Sequence, residues 1–521
     1  MSRSIFLLIF LATLAGFTAL PANSEDPYRY FTWVVTYGKI SPLGQPQQGI
    51  LINGQFPGPT LDCVTNDNII VNVVNKIDEF ILITWNQLPI PPNTNWTYKM
   101  QTKDQIGTFT YFLSTTFHRA AGGFGAFNIN QRSVISIPYP APSGEFNLLV
   151  GDWYKANHKG LRKRLDSGKA LPFPNGLLIN GAPQGMRFTG QKGKTYKFRV
   201  SNVGIDTSIN FRIQGHTVTL IEVEGSHTQQ EVYESLDIHV GQSVTVLVTL
   251  NREVKDYFIV ASTRFTKPVL NATTVLCYEG STAPPSLPLP VGPTCHVHWS
   301  MKQARTIRLN LTANAARPNP QGSYRYKLIP IVRTIVLANT ETQINNKLRY
   351  AVNGISYVDP ETPLKLADYF NISGVFTLNS IKDYPPPGSP LLGTSVIGTN
   401  LHDFVEIVFQ NNEKYVQSWH LDGSSFYVVG FGSGQWTKDM RRRYNMDDAI
   451  VRHTVQVYPR SWSTILVSLD KKGMWNLRSA IWVRRYLGQQ LYIRVWNDET
   501  SLYTENDIPT NALLCGKAKL S

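Results

Sequence analysis

Three times this chain places an apolar residue before Asn-Gly: "LINGQFPGP" (51–59), "LINGAPQG" (178–185) and "AVNGISYV" (351–358). After each comes an apolar strand pattern that ends in asparagine, at Asn75, Asn202 and Asn411. An aromatic-led run then follows: "TWNQ" (84–87), "NFRIQGH" (210–216) and "SWHLDG" (418–423). One order of signals kept three times marks one structural unit repeated, and it divides the 521 residues into several cores. The strand signals, such as "NIIVNVVN" (68–75), "TYKFRVSN" (195–202), "SVTVLVTL" (243–250) and "FVEIVFQN" (404–411), are short and β-branched. Gly, Pro and Asn clusters separate them. Helical patterns are few, with "GLRKRLDSG" (160–168) and "LADYF" (366–370) the best candidates. The fold class is therefore all-β, with three homologous β-sandwich domains at 25–140, 141–325 and 326–521. The proline-rich "STAPPSLPLPVGPT" (281–294) forms an extended excursion within or beside the second.

The first 24 residues read as a signal peptide: Arg3 leads, Ile5 to Leu20 is apolar, and Ala22-Asn23-Ser24 is a small-residue cleavage site. No other apolar run is long enough to cross a bilayer. Secretion places Cys63, Cys277, Cys295 and Cys515 in an oxidising compartment, where three pairings are open. Cys277 and Cys295 bracket the proline-rich loop and are the expected disulfide, leaving Cys63 and Cys515 to pair or stay free. Four sequons, at Asn95, Asn271, Asn310 and Asn371, suit a glycoprotein. The formal charge is +14, with basic residues bunched in "HKGLRKR" (158–164) and "KDMRRRY" (438–444). Solvated loops account for such clusters, and so does attraction to an extracellular polyanion. Secretion disfavours nucleic acid as the partner.

Few residue patterns point to chemistry. His296-Val297-His298 would put two imidazoles on one face of a strand, a candidate metal pair without a third partner. His216 reads as a loop histidine. The run "GFGSG" (430–434) precedes a tryptophan and a basic loop, so it reads as a β-turn and not as a phosphate cradle. No Ser-His-Asp or paired-carboxylate arrangement can be assembled from spacing.

The segments "KDQIGTFTYF" (103–112), "RAAGGFGAFNIN" (119–130), "GDWY" (151–154), "RPNPQGSY" (317–324), "VQSWHLDGSSFYVVG" (416–430) and "GMWNLRSAIWVRRYLGQQLYIRV" (473–495) resemble the plant multicopper oxidases, built from cupredoxin (plastocyanin-like) domains. The resemblance covers essentially the whole chain after the signal peptide. It is closest to the copper-ligand-poor branch of pollen-specific ascorbate oxidase homologues and monocopper-oxidase-like proteins. In active members copper is held by His-x-His-Gly, His-x-His, His-x-x-His-x-His and a final His-Cys-His with further ligands downstream. A blue centre takes up electrons and a three-copper cluster passes them to dioxygen. In this chain the corresponding positions are Thr84 and Asn86, Phe112 and Ser114, Gln417, His420 and Asp422, and Arg478, Ser479 and Ala480, with Arg484 and Gln489 downstream. His420 alone keeps the family's residue, and no thiolate remains for a blue centre. Near 87–91 the chain also lacks a family segment, including the cysteine that in relatives bridges to the position of Cys515.

The resemblance implies that Thr84, Asn86, Phe112, Ser114, His420, Asp422, Arg478 and Ala480 converge between the first and third domains. An unpaired buried charge is costly. Arg478 and Asp422 are therefore expected to form a buried ion pair that clamps the domains, with Asn86, Ser114 or His420 satisfying remaining groups and Phe112 filling volume. The functional expectation is a secreted glycoprotein of the extracellular space or cell wall, without catalysis or a bound cofactor, involved in growth of pollen or the pollen tube. Its expected partner is acidic wall polysaccharide. Two other readings stay open: a copper-dependent oxidoreductase of ascorbate oxidase type with a degenerate site, and a structural scaffold that binds protein partners.

Overall fold

The computed structural model describes residues 27–83, 89–184, 186–293, 296–314, 321–498, 508, 512 and 514–519. The chain forms three β units, each built from two sheets: four and three strands in the first, seven and five in the second, eight and five in the third. In each unit the opening strand pairs in parallel with the strand that ends in the repeated asparagine. These pairs are Tyr28–Ile40 with Asn68–Asn75, Glu145–Trp153 with Thr195–Asn202, and Arg333–Ile344 with Phe404–Asn411.

The repeated Asn-Gly is a two-residue hairpin turn. Its two residues have φ of 52° and 73° at Asn53-Gly54, 48° and 83° at Asn180-Gly181, and 44° and 83° at Asn353-Gly354. Positive φ at both positions is what this turn requires and what Asn-Gly accepts. The asparagine side chain does a second job. Its oxygen accepts the N–H of Val34, Leu149 or Ala338 at 2.7, 2.7 and 2.8 Å. Its amide donates to the carbonyl two residues earlier, on Thr32, Asn147 or Val336. The turn is thereby stitched to the opening strand in all three units.

The strand-ending asparagines are buried and bind the loop that follows. Asn75 donates to the carbonyls of Glu79 and Ile90, Asn202 to Thr207 and Ile238, and Asn411 to Tyr415, Val457 and Tyr458. Each side-chain oxygen accepts the N–H two residues on, at Ile77, Gly204 and Glu413. A buried amide with every group matched fixes the loop's exit from the strand.

One apolar core runs through the second and third units and another fills the first. The seams between units mix apolar and polar contact: one buried apolar cluster joins Phe117, Leu161 and Trp482 of the three units, and another joins Phe124 to Trp153. Buried Glu224 holds buried Arg452 at 3.0 Å and accepts the N–H groups of His453 and Thr454. Arg199 reaches Thr108 and Asn130 across the seam between the first and second units.

Helices are short: α1 (His158–Asp166), α2 (Val297–Thr306), α3 (Leu364–Tyr369) and α4 (Trp482–Tyr486). The first and third lie where the sequence suggested helices. The second corrects the reading of His296 and His298: His296 caps α2 and His298 lies inside it. Residues two apart on a helix point to different sides, so the pair shares no face. The run 430–434 is also not a turn. Gly430 and Gly432 lie in the strand Phe426–Ser433, and a Cβ on Gly432 would come within 2.3 Å of the Trp462 ring.

Candidate functional site

Gln417, Ser479, Arg484 and Gln489, the positions that would belong to the blue centre, come together inside the third unit. Gln417 opens the strand Gln417–Leu421, Ser479 ends the strand Gly473–Ser479, and Arg484 lies on α4 just beyond it. Gly488 ends that helix with φ of 107°, where a Cβ would meet Ser356 Oγ at 2.3 Å. This returns Gln489 to Ser479, whose N–H donates to the Gln489 carbonyl. The side chains form a chain of bonds. Arg484 donates to Gln489 (3.3 Å), Gln489 to Gln417 (3.2 Å) and Gln417 to Asn411 (3.0 Å), while Trp419 donates to Gln417 at 3.1 Å. Arg484 also lies 2.7 Å from Glu413 and over the Tyr350 ring. Burial works against the Arg484 cation, yet Glu413 keeps its acidity weaker than that of an ordinary guanidinium. A guanidinium has donors only and no lone pair for a metal.

The positions of the three-copper cluster are arranged differently. Thr84 and Asn86 lie outside the described residues, as do residues 87 and 88 beside the missing family segment. On either side of them Ile81 bridges Ile90. Phe112 stands edge-on to Trp482 (5.5 Å) with Arg119 over its face (4.5 Å). Ser114 donates to the Leu82 carbonyl and does not reach the charged groups. Ala480 donates its N–H to Ser418.

His420, Asp422 and Arg478 make one group. Arg478 NH2 is 3.3 Å from Asp422 Oδ1, and His420 Nε2 is 3.1 Å from the same oxygen. Thr454 Oγ1 meets the other ring nitrogen of His420 at 2.8 Å. The Arg478 side chain is 8 % exposed but that of Asp422 is 43 % exposed, so the pair is not buried as a unit. Nor does it clamp domains. Asp422 directly follows the strand Gln417–Leu421, and Arg478 lies on the neighbouring strand of the same sheet, where His420 is its register partner. The first and third units meet at Trp482, whose indole donates to the Thr116 carbonyl at 2.6 Å and whose ring faces Phe112, and at the ring pair of Phe117 and Tyr486. Burial, with Arg478 nearby, pushes the Arg119 guanidinium down to about 9, still charged at neutral pH.

The expected Cys277–Cys295 bridge is not formed: Cys277 is a buried free thiol, as Cys63 is, and Cys515 is free and partly exposed. Cys295 lies outside the described residues. After the strand Asn271–Tyr278 the chain crosses its own sheet: Gln214 reaches the Pro288 carbonyl and Arg212 the Pro290 carbonyl. Arg212 lies two strands from Cys277. The following helix α2 then docks Gln303 on Asp237, a strand further away.

His216 is more than a loop histidine. It is buried between the Gln214 carbonyl and the Tyr278 hydroxyl. Among the sequons Asn95, Asn271 and Asn371 are exposed, whereas the Asn310 oxygen accepts from Thr312 and Ala313. The basic clusters are partly used in local pairing. Arg441 is bound to buried Glu406, Arg162 faces Asp166, and Arg164 donates to the Ala170 carbonyl. A cleft of about 390 Å³ lies instead where exposed Arg305, Arg308 and Arg443 converge, between α2 and the third unit. Sequence reasoning missed Glu413, Arg119, Arg305 and Arg308, since nothing in their local spacing signals what they face.

Family models described as multicopper oxidase match residues 34–134, 144–281 and 361–501. An L-ascorbate oxidase homolog of Brassica napus is 49% identical over 99% of this chain and 98% of its own length. The monocopper oxidase-like protein SKU5 of Arabidopsis thaliana is 45% identical over 98% of this chain and 92% of its own. Among solved structures, Fet3p, a multicopper oxidase that functions in iron import, superposes with a TM-score of 0.76 at 20% identity, covering 90% of each chain. That likeness is one of fold.

Proposed function

The chain belongs to the multicopper oxidase family, and from the residues at its ligand positions we propose that it is a non-catalytic member, secreted and glycosylated, that binds acidic polysaccharide of the plant cell wall. Arg478 and Arg484 carry this reading. Each puts a permanent cation with no lone pair where a metal would need a donor. Beside them His420 keeps one imidazole and Asp422 offers a carboxylate, but the carboxamides, Ser479 and Ala480 do not replace the other imidazoles and the thiolate, so copper does not fit either place and no electron transfer is routed through them. No described helix is long and apolar enough to cross a membrane, which accords with secretion. A role in growth of pollen or the pollen tube follows from the resemblance of the quoted segments to the pollen branch.

Binding to a polyanion draws on the formal charge of +14 and on the arginine-lined cleft. Metal analysis with a visible spectrum of the secreted chain tests the first half: no copper-thiolate band is expected, and stoichiometric copper with a blue band overturns it. Retention on immobilised polygalacturonate tests the second. It should be strong at low salt and lost near 1 M, where screening shortens to about 3 Å. Arg305→Glu with Arg443→Glu should abolish it, and retention that ignores salt and both changes would refute it.

A further inference from the structure

A second cluster of donors uses residues outside the four copper motifs: Glu79 precedes the first and His118 follows the second. Asn75 fixes the carbonyl of Glu79, the short turn His118–Ala121 presents His118, and α1 of the second unit begins at His158. Their ligand atoms all lie within 4.8 Å of one another. Glu79 Oε1 is 2.8 Å from His158 Nε2, and Glu79 Oε2 is 3.5 Å from His118 Nε2. Metal–ligand bonds of about 2.0–2.2 Å at tetrahedral angles separate ligand atoms by about 3.3–3.5 Å, so small shifts suffice to admit an ion.

Both imidazoles are buried, with side chains 0% and 1% exposed. His118 Nε2 has no hydrogen-bond partner, although it points at the carboxylate. The other nitrogen of His118 is held by Thr115 Oγ1 at 3.1 Å, the outer contact that orients a ligating ring. Tyr37 donates to Glu79 at 2.6 Å. Lys159, 3.4 Å from Glu79, is offset by Asp78 at 3.0 Å, so the acids outweigh the ammonium.

We propose that Glu79, His118 and His158 bind a divalent transition-metal ion of the zinc class, with water completing the coordination, and so tie the first unit to the second. Two histidines and one carboxylate are a zinc donor set with an open position. A metal there reconciles two imidazoles and a carboxylate, and would match His118 Nε2, one of the two imidazole nitrogens of the cluster, with His158 Nδ1, that the protein alone leaves unmatched.

The test uses the full secreted chain, stripped with chelator and titrated with cobalt(II), then zinc. One equivalent of cobalt should bind with the intense visible bands of four- or five-coordination, be displaced by zinc, and raise the melting temperature. Glu79→Gln and His158→Gln should each weaken binding by more than the about 10–100-fold that loss of a supporting contact costs. His402→Gln, at an exposed histidine, should leave it unchanged. Should a variant fail to fold, the unaltered chain decides: no saturable cobalt spectrum, or only the weak bands of six-coordination, overturns the site. Folded Glu79→Gln and His158→Gln proteins that bind as tightly as the unaltered chain overturn it equally.

Discussion

Arg484 and Arg478 are equally hidden, 5 % and 6 % exposed, yet their surroundings differ. Burial disfavours both cations. At Arg484 a carboxylate only 13 % exposed sits at 2.7 Å, two glutamines continue the bonding, and the guanidinium holds its proton more firmly than usual. At Arg478 the carboxylate is 43 % exposed and 3.3 Å away, Arg485 and Arg119 add like charge, and the proton is held less firmly than usual. The first position lies inside the third unit, where its replacement has become part of the interior, with Glu413, Arg484, Gln489 and Gln417 joined in series. The second lies beside a seam, next to Trp482, which meets Thr116 and Phe112 of the first unit, and the cation that the first unit brings near it is Arg119. A metal position inside a domain and one between domains leave different remnants.

The largest expected consequence lies at Arg484. Arg484→Ala strands the Glu413 carboxylate and frees Gln489, and loss of one partner of a buried pair costs about 3–5 kcal/mol. Thermal and denaturant unfolding of the variant would measure it. Arg478→Ala should cost less, about 1 kcal/mol or below, because Asp422 can be hydrated and the crowding of Arg119 and Arg485 is relieved. Equal losses at the two positions would break the comparison. A loss at Arg478 alone would reverse it.

Much of the fold was legible because its signals are local. An Asn-Gly turn and a strand-ending asparagine act within a few residues of themselves, as the bonds of Asn53, Asn180 and Asn353 show. The site was legible only as a set of substitutions. Their partners come from elsewhere: Glu413 lies 71 residues before Arg484, and Trp482 meets Thr116 over a separation of 366 residues. The clamp was misassigned because convergence of positions does not say which residues share a sheet. His420 and Arg478 face each other across neighbouring strands, which makes the Asp422 pair a contact within one unit.

The smallest effect is a pH dependence at the seam. Burial works against the Asp422 carboxylate, but the charge of Arg478 and the hydrogen bond from His420 outweigh it and hold the group below the ordinary carboxylate range. A carboxyl with a folded value below its unfolded one contributes stability above the unfolded value, near pH 4, and loses it as pH falls toward the folded value. Asp422→Asn has no such group. The variant should therefore be slightly less stable than the unaltered chain at pH 7 and at pH 5, and the gap should close as pH falls below about 4. Half-exposure of the carboxylate keeps the gap well under the loss expected for Arg484→Ala. Denaturant midpoints at pH 7, 5 and 3 read this out. A gap that widens in acid would mean that the ionised carboxylate opposes folding, and Arg478 would then be held by its contacts with Trp482 rather than by Asp422.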